Sequence, residues 1–459
     1  MVVAAHDPSK LTFTGVSIDS RTLQSGDIFI AIRGDRFNGH DFLTRAVERG
    51  ARALVVDHFY ADSNINLLKS LLPPTIIVDG TVQALGELAS GYREKFDLPI
   101  LAVGGSNGKT TTKEMIAAVL SKKFNVLSTE GNLNNQIGMP MMLFRLRRQH
   151  EIAVIEIGTN HFGEISYLCS ILKPTHALIT NIGNEHLEFF GNLRGVVKAE
   201  TELHDWLEEN NARSGAAFVN MDDPNLRSKK PRLKKVRTFG FETRGVEYKG
   251  SQIRLNGDGF PTFDVKPKGK PSFPISLNVP GIHNAENSLA AVTVGHVFRV
   301  PVAGIQIALQ KFTSPSKRSE MLEISGVKIV NDTYNSNPDS VKAALQTMMS
   351  IQADGKRIAV LGDMLEMGVN AEEQHKRIGR VVTNAKVDYL LTYGPLSIHT
   401  HEAAAVSFKS HYLQKNMLAE YLAELISPGD VVLVKGSRGM KMEDIVLFLK
   451  ERFAVPQPV

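Results

Sequence analysis

The chain has 459 residues, of which 42% are hydrophobic and 22% are charged, and its formal net charge is +5. This length exceeds what one hydrophobic core can hold and predicts about three domains, while the composition is that of an ordinary soluble globular protein. Because the excess positive charge is small and the Lys and Arg residues are scattered, no nucleic-acid-binding surface is expected.

The cysteine content and the N-terminus indicate the compartment. Cys169 is the single cysteine, so neither an intramolecular disulfide nor a Cys-based zinc site can form. Residues 1–10 lack the basic and long apolar segments of a signal peptide. No later apolar run approaches the ~20 residues that span a bilayer. We therefore expect a cytoplasmic protein without membrane insertion.

Short apolar runs alternate with helical patterns in the first hundred residues. The apolar runs span residues 26–32, 53–57 and 75–78, and the helical patterns span residues 42–49 and 82–96. This alternation favours a small α/β domain. Pro99 marks a boundary, so the first domain is predicted at residues 1–97.

The central region predicts a parallel sheet. Apolar runs without period-two alternation are separated by helical stretches, at residues 100–103, 153–157, 177–181 and 217–220. Such runs are typical of strands that are covered on both faces. Between residues 248 and 279 the pattern changes to alternating residues with Gly and Pro, which predicts antiparallel strands at the sheet edge. The second domain is predicted at residues 98–312.

A third pattern follows Phe312. A Ser-Pro-Ser-Lys-Arg stretch is typical of a linker, and further apolar runs span residues 329–330, 358–361, 389–392 and 431–434. Helical stretches separate these runs, which favours a doubly wound, Rossmann-like domain at residues 313–459.

A phosphate-binding loop is predicted between the apolar run 100–103 and a helix at 111–122. Glycines let backbone N–H groups approach phosphate oxygens, and the helix directs its positive end at the same anion. The lysine adds a charge, and the following threonine can hold Mg²⁺. Val103 stands where the long motif has glycine, so this is the short GxxGKT form. The loop consists of Gly105, Ser106, Asn107, Gly108, Lys109, Thr110 and Thr111.

Other uses of this loop remain open from the residues alone. A glycine turn with a chance lysine can join any strand to any helix, and a nucleotide-dependent switch would use the loop for nucleotide binding alone. Glu156 follows a predicted strand and could share Mg²⁺ with Thr110, although a single Glu there is also typical of a helix cap. His186 and Lys198 would not be singled out without further information.

That information comes from a series of stretches along the chain. They are SIDSRTLQSGDIFIAIRGDRFNGHDF (17–42), GSNGKTTTKEM (105–115), GNLNNQIGMP (131–140), IEIGTNHFGEI (155–165), TNIGNEHLEFFG (180–191), GIHNAENSLAA (281–291), NDTYNSNPDS (331–340), LGDMLEMG (361–368) and VKGSRGMKME (434–443). Together and in this order they resemble the Mur ligases over almost the whole chain. The resemblance implies a three-domain α/β architecture with a parallel-sheet ATPase domain in the centre and a Rossmann-like C-terminal domain.

The resemblance also implies an activity. It is closest to the family members that add D-alanyl-D-alanine to UDP-N-acetylmuramoyl-tripeptide, using ATP and an acyl phosphate, in cytoplasmic peptidoglycan synthesis. The alternative is a member that adds a free third amino acid. Those members carry an Asp-Asn-Pro-Arg signature, where this chain has Tyr334-Asn335-Ser336-Asn337-Pro338-Asp339. A monomer is expected, and whether the third residue of the tripeptide is meso-diaminopimelate or lysine stays open.

Site residues follow from the resemblance, position by position. The phosphate loop with Arg318 would bind the ATP phosphates, Asn284 and Asn287 the adenine, and Asp332 the ribose. Two Mg²⁺ ions are implied, one on Thr110 and Glu156, and one on Glu156, His186 and a carbamoylated Lys198. A carbamate turns the lysine into a metal-binding carboxylate. Substrate-binding positions would be Ser20, Arg21, Asn38, His40, Asn134, Asn135, Tyr334, Asn335 and Asn337.

Two positions depart from the family pattern. Gly104 stands where the family usually has threonine, and Lys317 stands where a glycine usually precedes the arginine. Neither departure removes a group with an expected catalytic role.

Overall fold

The computed structural model describes residues 2–3, 12–34, 37–210 and 215–454. Contacts divide the chain into two compact units. The first unit consists of residues 1–100, 129–151 and 166–173, and the second of residues 101–128, 152–165 and 174–459.

Strands and helices alternate along most of the chain, as in α/β proteins. The strands are β1 (Val2–Val3), β2 (Val16–Ser17), β3 (Ile28–Ile30), β4 (Ala53–Asp57), β5 (Thr75–Val78), β6 (Ile100–Gly104), β7 (Val126–Ser128), β8 (Ile152–Glu156), β9 (His176–Ile179), β10 (Ala216–Asn220), β11 (Val236–Gly240), β12 (Tyr248–Leu255), β13 (Pro261–Pro267), β14 (Phe273–Ser276), β15 (Glu320–Ile324), β16 (Val327–Asp332), β17 (Arg357–Gly362), β18 (Tyr389–Tyr393), β19 (Phe408–Tyr412) and β20 (Val431–Lys435). The helices are α1 (Leu43–Glu48), α2 (His58–Ser70), α3 (Thr81–Arg93), α4 (Lys109–Leu120), α5 (Gly138–Leu143), α6 (Glu164–Leu172), α7 (Leu187–Phe190), α8 (Leu193–Asn210), α9 (Pro224–Ser228), α10 (Ile282–Val297), α11 (Val302–Gln310), α12 (Pro338–Ser350), α13 (Ala371–Ala385), α14 (Ile398–Ala403), α15 (Lys415–Leu425) and α16 (Glu443–Arg452).

The first unit is built on a sheet with the strand order β1-β5-β4-β3-β2. Strands β2 to β5 are parallel, and β1 pairs antiparallel to β5. Leu54 and Val56 pack on one face of β4 and Val55 on the other, so both faces are buried. Strand β3 is shorter than the predicted run 26–32, because Gly26 has a φ of +95° and belongs to the preceding turn.

The second unit holds the predicted central sheet, with the order β14-β13-β12-β11-β10-β9-β6-β8-β7. Strand β7 pairs in parallel with β8, β9 with both β6 and β10, and β11 with both β10 and β12. Strands β13 and β14 form the antiparallel edge that the sequence predicts. Helices α4 and α10 pack together, and their apolar side chains share one core with β6 and β9. Because parallel strands end at the same edge, the loops after β6, β8 and β9 lie together.

The second unit also holds a sheet with the order β15-β16-β20-β17-β18-β19. Strands β16 to β20 are parallel to one another, and β15 forms an antiparallel hairpin with β16. Helices α15 and α16 cover one face, where Leu422 and Leu449 belong to a core with Val360 and Val432. This is the predicted α/β C-terminal region with helices between parallel strands. In the part of the chain that the structure describes, no helix combines the length and apolarity that crossing a bilayer requires.

Candidate active site

The phosphate loop joins β6 to α4, as the sequence predicts. Gly105 and Gly108 have φ angles of +116° and +77°, which favour glycine. A Cβ at Gly105 would lie 2.3 Å from Thr180 Oγ1, and one at Gly108 would lie 2.6 Å from Asn287 Oδ1. Helix α4 begins at Lys109 after a residue without a side-chain cap. The amides of its first turn can therefore face an anion.

The loop after β9 holds the phosphate loop in place. The Ser106 N–H donates to the Asn181 carbonyl (2.9 Å), and the Asn107 N–H donates to Asn181 Oδ1 (3.0 Å). Thr180 Oγ1 donates to the Asn107 carbonyl (2.7 Å), and the Gly183 N–H donates to Ser106 Oγ (2.9 Å). These bonds fix the loop backbone independently of a ligand.

Lys109 lies among carboxylates at this loop. Its Nζ donates to the Gly105 carbonyl and lies 3.5 Å from Glu185 Oε2. Burial works to lower the pKa of Lys109, but the nearby Glu185, Glu200 and Glu156 raise it above its usual range. The lysine is therefore protonated at neutral pH and able to stabilise negative charge on a phosphate.

Glu200 contacts the same loop from α8. Its Oε2 accepts a hydrogen bond of 2.7 Å from the Gly105 N–H. Burial, followed by the charge of Glu185, raises the pKa of Glu200 to about 8. Burial and this neighbouring charge therefore disfavour ionisation of Glu200 near neutral pH.

Thr110 and Glu156 provide oxygens beside Lys109. Both side chains are buried, and Glu156 ends β8. Among the described residues, the Thr110 hydroxyl has no hydrogen-bond partner. Hydroxyl and carboxylate oxygens suit Mg²⁺. No three His, Cys, Asp or Glu side chains in the described ranges are close enough to hold a metal by themselves. A Mg²⁺ ion here would thus depend also on phosphate and water oxygens, which is usual for this ion.

His186 is positioned by a loop from the C-terminal region. It precedes α7 with a φ of +46°, and its Nδ1 lies 2.7 Å from Glu366 Oε2. The hydrogen bond from His186 lowers the pKa of Glu366. A histidine that gives one ring N–H to a carboxylate leaves its other nitrogen for a metal, and Nε2 lies 3.9 Å from Glu185 Oε2. The geometry is compatible with the predicted ligand role of His186.

Lys198 lies elsewhere on α8. Its side chain is exposed, and its Nζ lies 5.3 Å from the centre of the Phe162 ring. The family resemblance groups Lys198 with Thr110, Glu156 and His186 as metal ligands. In the described structure, the contacts of Lys198 differ from those of the other three residues.

Of the predicted adenine and ribose residues, Asn287 reaches the phosphate loop. Asn284 Nδ2 donates to the Pro280 carbonyl (2.7 Å), and Asn287 Nδ2 donates to Asn284 Oδ1 (3.2 Å). Asn287 thereby holds its own Oδ1 against Gly108. Asp332, at the end of β16, accepts hydrogen bonds from Lys435 Nζ (2.6 Å) and from the Ser319 N–H (2.9 Å).

Arg318 stacks on Tyr334. The guanidinium carbon lies 3.7 Å from the centre of the ring, and Arg438 lies 5.4 Å from the same ring. Lys317 has a φ of +66°, which explains why a glycine would suit this position. Its Nζ forms an ion pair with Glu443 at 3.0 Å.

Asn337 links the C-terminal sheet to the phosphate loop. Its Oδ1 accepts from the Ser340 N–H (2.8 Å) and caps α12, while its Nδ2 donates to Asn107 Oδ1 (2.9 Å). Asn335 Oδ1 accepts from the Ser336 N–H (2.9 Å). Tyr334, Asn335 and Asn337 all lie in the segment between the end of β16 and the start of α12.

The predicted uridine-nucleotide residues lie in the first unit. Ser20 is buried, and Arg21 is exposed with its guanidinium on Asp19. The Arg21 hydrogen bonds lower the pKa of Asp19 to about 2. This pair leaves an arginine at the surface beside Ser20.

Asn38 and His40 have structural contacts in the same unit. His40 is buried, its Nδ1 lies 2.8 Å from Asn38 Oδ1, and its Nε2 accepts from the Asp57 N–H at 3.2 Å. Burial lowers the pKa of His40, in agreement with a neutral ring. His40 thus fixes Asn38 at the end of β4, and a direct role in binding stays a prediction.

Asn134 and Asn135 precede α5. Asn135 Oδ1 accepts from the Gly138 N–H (2.8 Å) and the Ile137 N–H (3.2 Å), which starts the helix. Whether either asparagine binds substrate also stays a prediction.

Several site residues were missed by sequence reasoning. They are Glu185, Glu200, Asp339 and Glu366. Glu185, Asp339 and Glu366 stand in stretches that the sequence singles out, and Glu200 follows Lys198 by two residues, but the neighbouring residues do not show where these side chains point. For Glu200 a signal existed, since the apolar spacing Val196, Ala199, Leu203 and Leu207 defines a buried helix face that includes it.

Comparison with protein families matches three models along the chain. Residues 12–93 match the Mur ligase family catalytic domain, residues 103–295 the Mur ligase middle domain, and residues 317–438 the Mur ligase glutamate ligase domain.

Individual proteins are similar over nearly the full length. The UDP-N-acetylmuramoyl-tripeptide–D-alanyl-D-alanine ligase of Bacillus subtilis is 36% identical, covering 95% of this chain and 93% of its own. The structure of MurF from Acinetobacter baumannii is 30% identical with a TM-score of 0.84, covering 95% of this chain and 93% of its own. MurF from Thermotoga maritima in complex with ADP is 27% identical with a TM-score of 0.84, covering 97% and 99%.

Proposed function

This chain belongs to the Mur ligase family, and we propose that it joins D-alanyl-D-alanine to UDP-N-acetylmuramoyl-tripeptide with conversion of ATP to ADP and phosphate. Relatives with that name cover almost the whole chain in both directions. The observation that carries the proposal is the phosphate loop, with protonated Lys109 held by carboxylates at the end of a parallel sheet. This arrangement suits phosphoryl transfer to a carboxylate.

The reaction needs activation of a poor acyl donor. A carboxylate oxygen of the tripeptide attacks the γ-phosphorus, ADP leaves, and an acyl phosphate forms. The amine of D-alanyl-D-alanine then adds to the acyl carbon and loses a proton. Collapse of the tetrahedral intermediate releases phosphate and leaves the amide. Lys109 and Arg318 carry the positive charge that stabilises the transferred phosphoryl group.

Magnesium is implied by the family, and the residues at the loop fit it. Among the described residues, the buried Thr110 hydroxyl has no hydrogen-bond partner, and Glu156 has a buried carboxylate. His186 faces Glu366 with its Nδ1, so its Nε2 is the nitrogen that would bind the ion. Bound Mg²⁺ neutralises phosphate charge and orients the γ-phosphate. A second ion with a carbamate on Lys198 stays a prediction, and the exposed position of this side chain does not favour it.

The remaining expectations enter the proposal with the family. The substrate domain is residues 1–97, the ATP-binding domain residues 98–312, and the domain for the incoming dipeptide residues 313–459. The protein acts in the cytoplasm as a monomer, without nucleic acid. These boundaries and this location follow from the sequence resemblance and the role of such ligases in peptidoglycan synthesis.

Phosphate release tests the activity. The complete mixture contains ATP, Mg²⁺, the UDP-muramoyl tripeptide and D-alanyl-D-alanine, and each component is omitted in turn. We expect release only in the complete mixture, with one amide formed per phosphate. A nucleotide switch would release phosphate without the tripeptide, and this result would contradict the proposal.

The alternative within the family is addition of a free amino acid to a UDP-muramoyl dipeptide. The Asn337-Pro338-Asp339 stretch lacks the arginine whose planar fork would grip an α-carboxylate. A competition among meso-diaminopimelate, L-lysine and D-alanyl-D-alanine, with both UDP-muramoyl dipeptide and tripeptide present, separates the two activities. Dominant addition of a free amino acid to the dipeptide would favour the alternative. Comparing UDP-muramoyl tripeptides that end in meso-diaminopimelate and in lysine would also identify the third residue of the accepted substrate.

A further inference from the structure

Helix α8 can present only one of two candidate residues to the phosphate loop. Each helical residue turns by ~100°, so side chains at positions 198 and 200 point about 200° apart. Glu200 belongs to the buried face, which also contains Val196, Ala199, Leu203 and Leu207. Lys198 is exposed beside Phe162. The helix therefore directs Glu200 toward the site and Lys198 away from it.

Glu200 is seated directly on the loop. Its side chain is almost fully buried, and its Oε2 accepts the Gly105 N–H at 2.7 Å. Lys109 donates to the carbonyl of the same residue, Gly105. A carboxyl group thus contacts the backbone of the loop that would hold the ATP phosphates.

Gly104 gives room for this carboxyl group. A Cβ at position 104 would lie 3.1 Å from Glu200 Oε2, which is tighter than ordinary contact. A threonine side chain, expected at this position from the resemblance, would add two more heavy atoms there. The departure at Gly104 and the inward carboxyl of Glu200 therefore fit one another.

A separate observation points to a cation. Thr110, in the first turn of α4, is only 7% exposed, and its hydroxyl has no hydrogen-bond partner among the described residues. A hydroxyl and a carboxylate at the same phosphate loop are oxygen ligands of the kind that Mg²⁺ takes together with nucleotide phosphates.

We infer that Glu200, and not a carbamate on Lys198, is the carboxylate that α8 supplies to the metal ion of the bound nucleotide. The inference rests on the proposed function only in requiring ATP with a divalent ion. A carbamate forms reversibly from lysine and carbon dioxide, whereas the glutamate side chain needs no such reaction to supply its carboxyl group. Metal binding in this chain is therefore independent of carbon dioxide.

Mn²⁺ binding in the presence of a non-hydrolysable ATP analogue tests the inference. The free ion is measured by electron paramagnetic resonance for wild type, Glu200→Gln, Lys198→Ala and Glu202→Gln. Glu202 is a matched control on the same helix, whose Oε1 accepts the Gly163 N–H instead. We expect Glu200→Gln to weaken Mn²⁺ binding by about tenfold or more, and the other two variants to stay within about twofold of wild type. Removing bicarbonate and carbon dioxide should not change wild-type binding.

The opposite pattern would overturn the inference. Weaker Mn²⁺ binding in Lys198→Ala together with bicarbonate dependence would restore the carbamate, and wild-type binding in Glu200→Gln would remove Glu200. If a melting curve shows that Glu200→Gln does not fold, Lys198→Ala in carbon-dioxide-free buffer decides alone: retained binding supports the inference and lost binding refutes it. Phosphate release by the wild type is a separate measurement, so failure of the proposed function is distinguishable from failure here.

Discussion

Asn337 has two contacts that one pair of substitutions can separate. Its Oδ1 caps α12 through the Ser340 N–H, and its Nδ2 reaches Asn107 Oδ1 in the phosphate loop. Serine is as good an N-cap as asparagine but has no group that reaches Asn107. Asn337→Ser should therefore lose only the bridge, and Asn337→Ala should lose both contacts.

The magnitudes follow from the two bonds. An N-cap contributes about 1 kcal/mol and a neutral hydrogen bond about the same, so Asn337→Ala should cost about 2 kcal/mol and Asn337→Ser about half of that. For a domain of this size, 1 kcal/mol shifts the melting temperature by roughly 2–4 °C. We expect both variants to raise the KM for ATP to the same extent, by up to about fivefold, because both release Asn107.

Calorimetry and the KM for ATP are measured on both variants, with Asn107→Ala and the double variant Asn107→Ala/Asn337→Ser as a cycle. Since the bridge joins these two side chains, the double variant should cost no more than either single one. Equal melting temperatures for Asn337→Ser and Asn337→Ala would show that the cap contributes nothing. Additive costs in the double variant would show that the bridge is not formed, and would refute the reasoning.

Three further predictions concern the loop and acid stability. Lys109→Met should lower kcat by ~10²- to 10³-fold in the phosphate-release assay, while the exposed Lys123→Met stays near wild type. Gly108→Ala should raise the KM for ATP by at least about tenfold, because the added Cβ meets Asn287 Oδ1. Gly163→Ala is the control: Gly163 has a similar φ of +83°, but its added Cβ has no atom within 4 Å, so this variant should lose only about 1 kcal/mol of stability. Burial lowers the pKa of His204 to about 4. Below pH 6.5 the histidine therefore binds a proton in the unfolded chain but not in the folded one. As the pH falls from 6.5 toward 4, up to about 3 kcal/mol of folding stability is lost. Urea midpoints across this range should change less in His204→Leu than in wild type.

The strands that the sequence predicts are those with continuous apolar runs. β4 and β5 begin and end at the predicted residues, and every residue of β4 is buried, as expected for a strand that is covered on both faces. Strand β19, with the sequence Phe-Lys-Ser-His-Tyr, was missed because it lies at a sheet edge and is only partly buried. Strand β15 was missed because the stretch before it resembles a linker. In both cases pairing with a neighbouring strand, and not local composition, makes the strand.

The site divides in the same way. The loop 105–111 is readable because its glycines and lysine are adjacent in sequence and their spacing carries the chemistry. Glu185 and Glu200 act on Lys109 from separate segments, so their roles depend on how the loop after β9 and helix α8 pack against the phosphate loop. The identity of a residue in the sequence does not determine this spatial arrangement. On α8, reading the helical phase as well as the motif would have favoured Glu200 over Lys198.

The C-terminal motifs illustrate a further limit. Side chains of this region contact the nucleotide site: Asn337 contacts Asn107, Asp339 accepts from the Asn184 N–H at 2.8 Å, and Glu366 lies 2.7 Å from His186. From sequence these stretches indicate binding of the incoming dipeptide, yet their side chains also hold the phosphate loop and the loop after β9. A substitution there can change amine selection, ATP affinity or both. Asn337 already caps α12 and contacts Asn107, so a loss of activity in an Asn337 variant does not show that this residue contacts the dipeptide. A changed KM for D-alanyl-D-alanine with an unchanged KM for ATP would show such a contact.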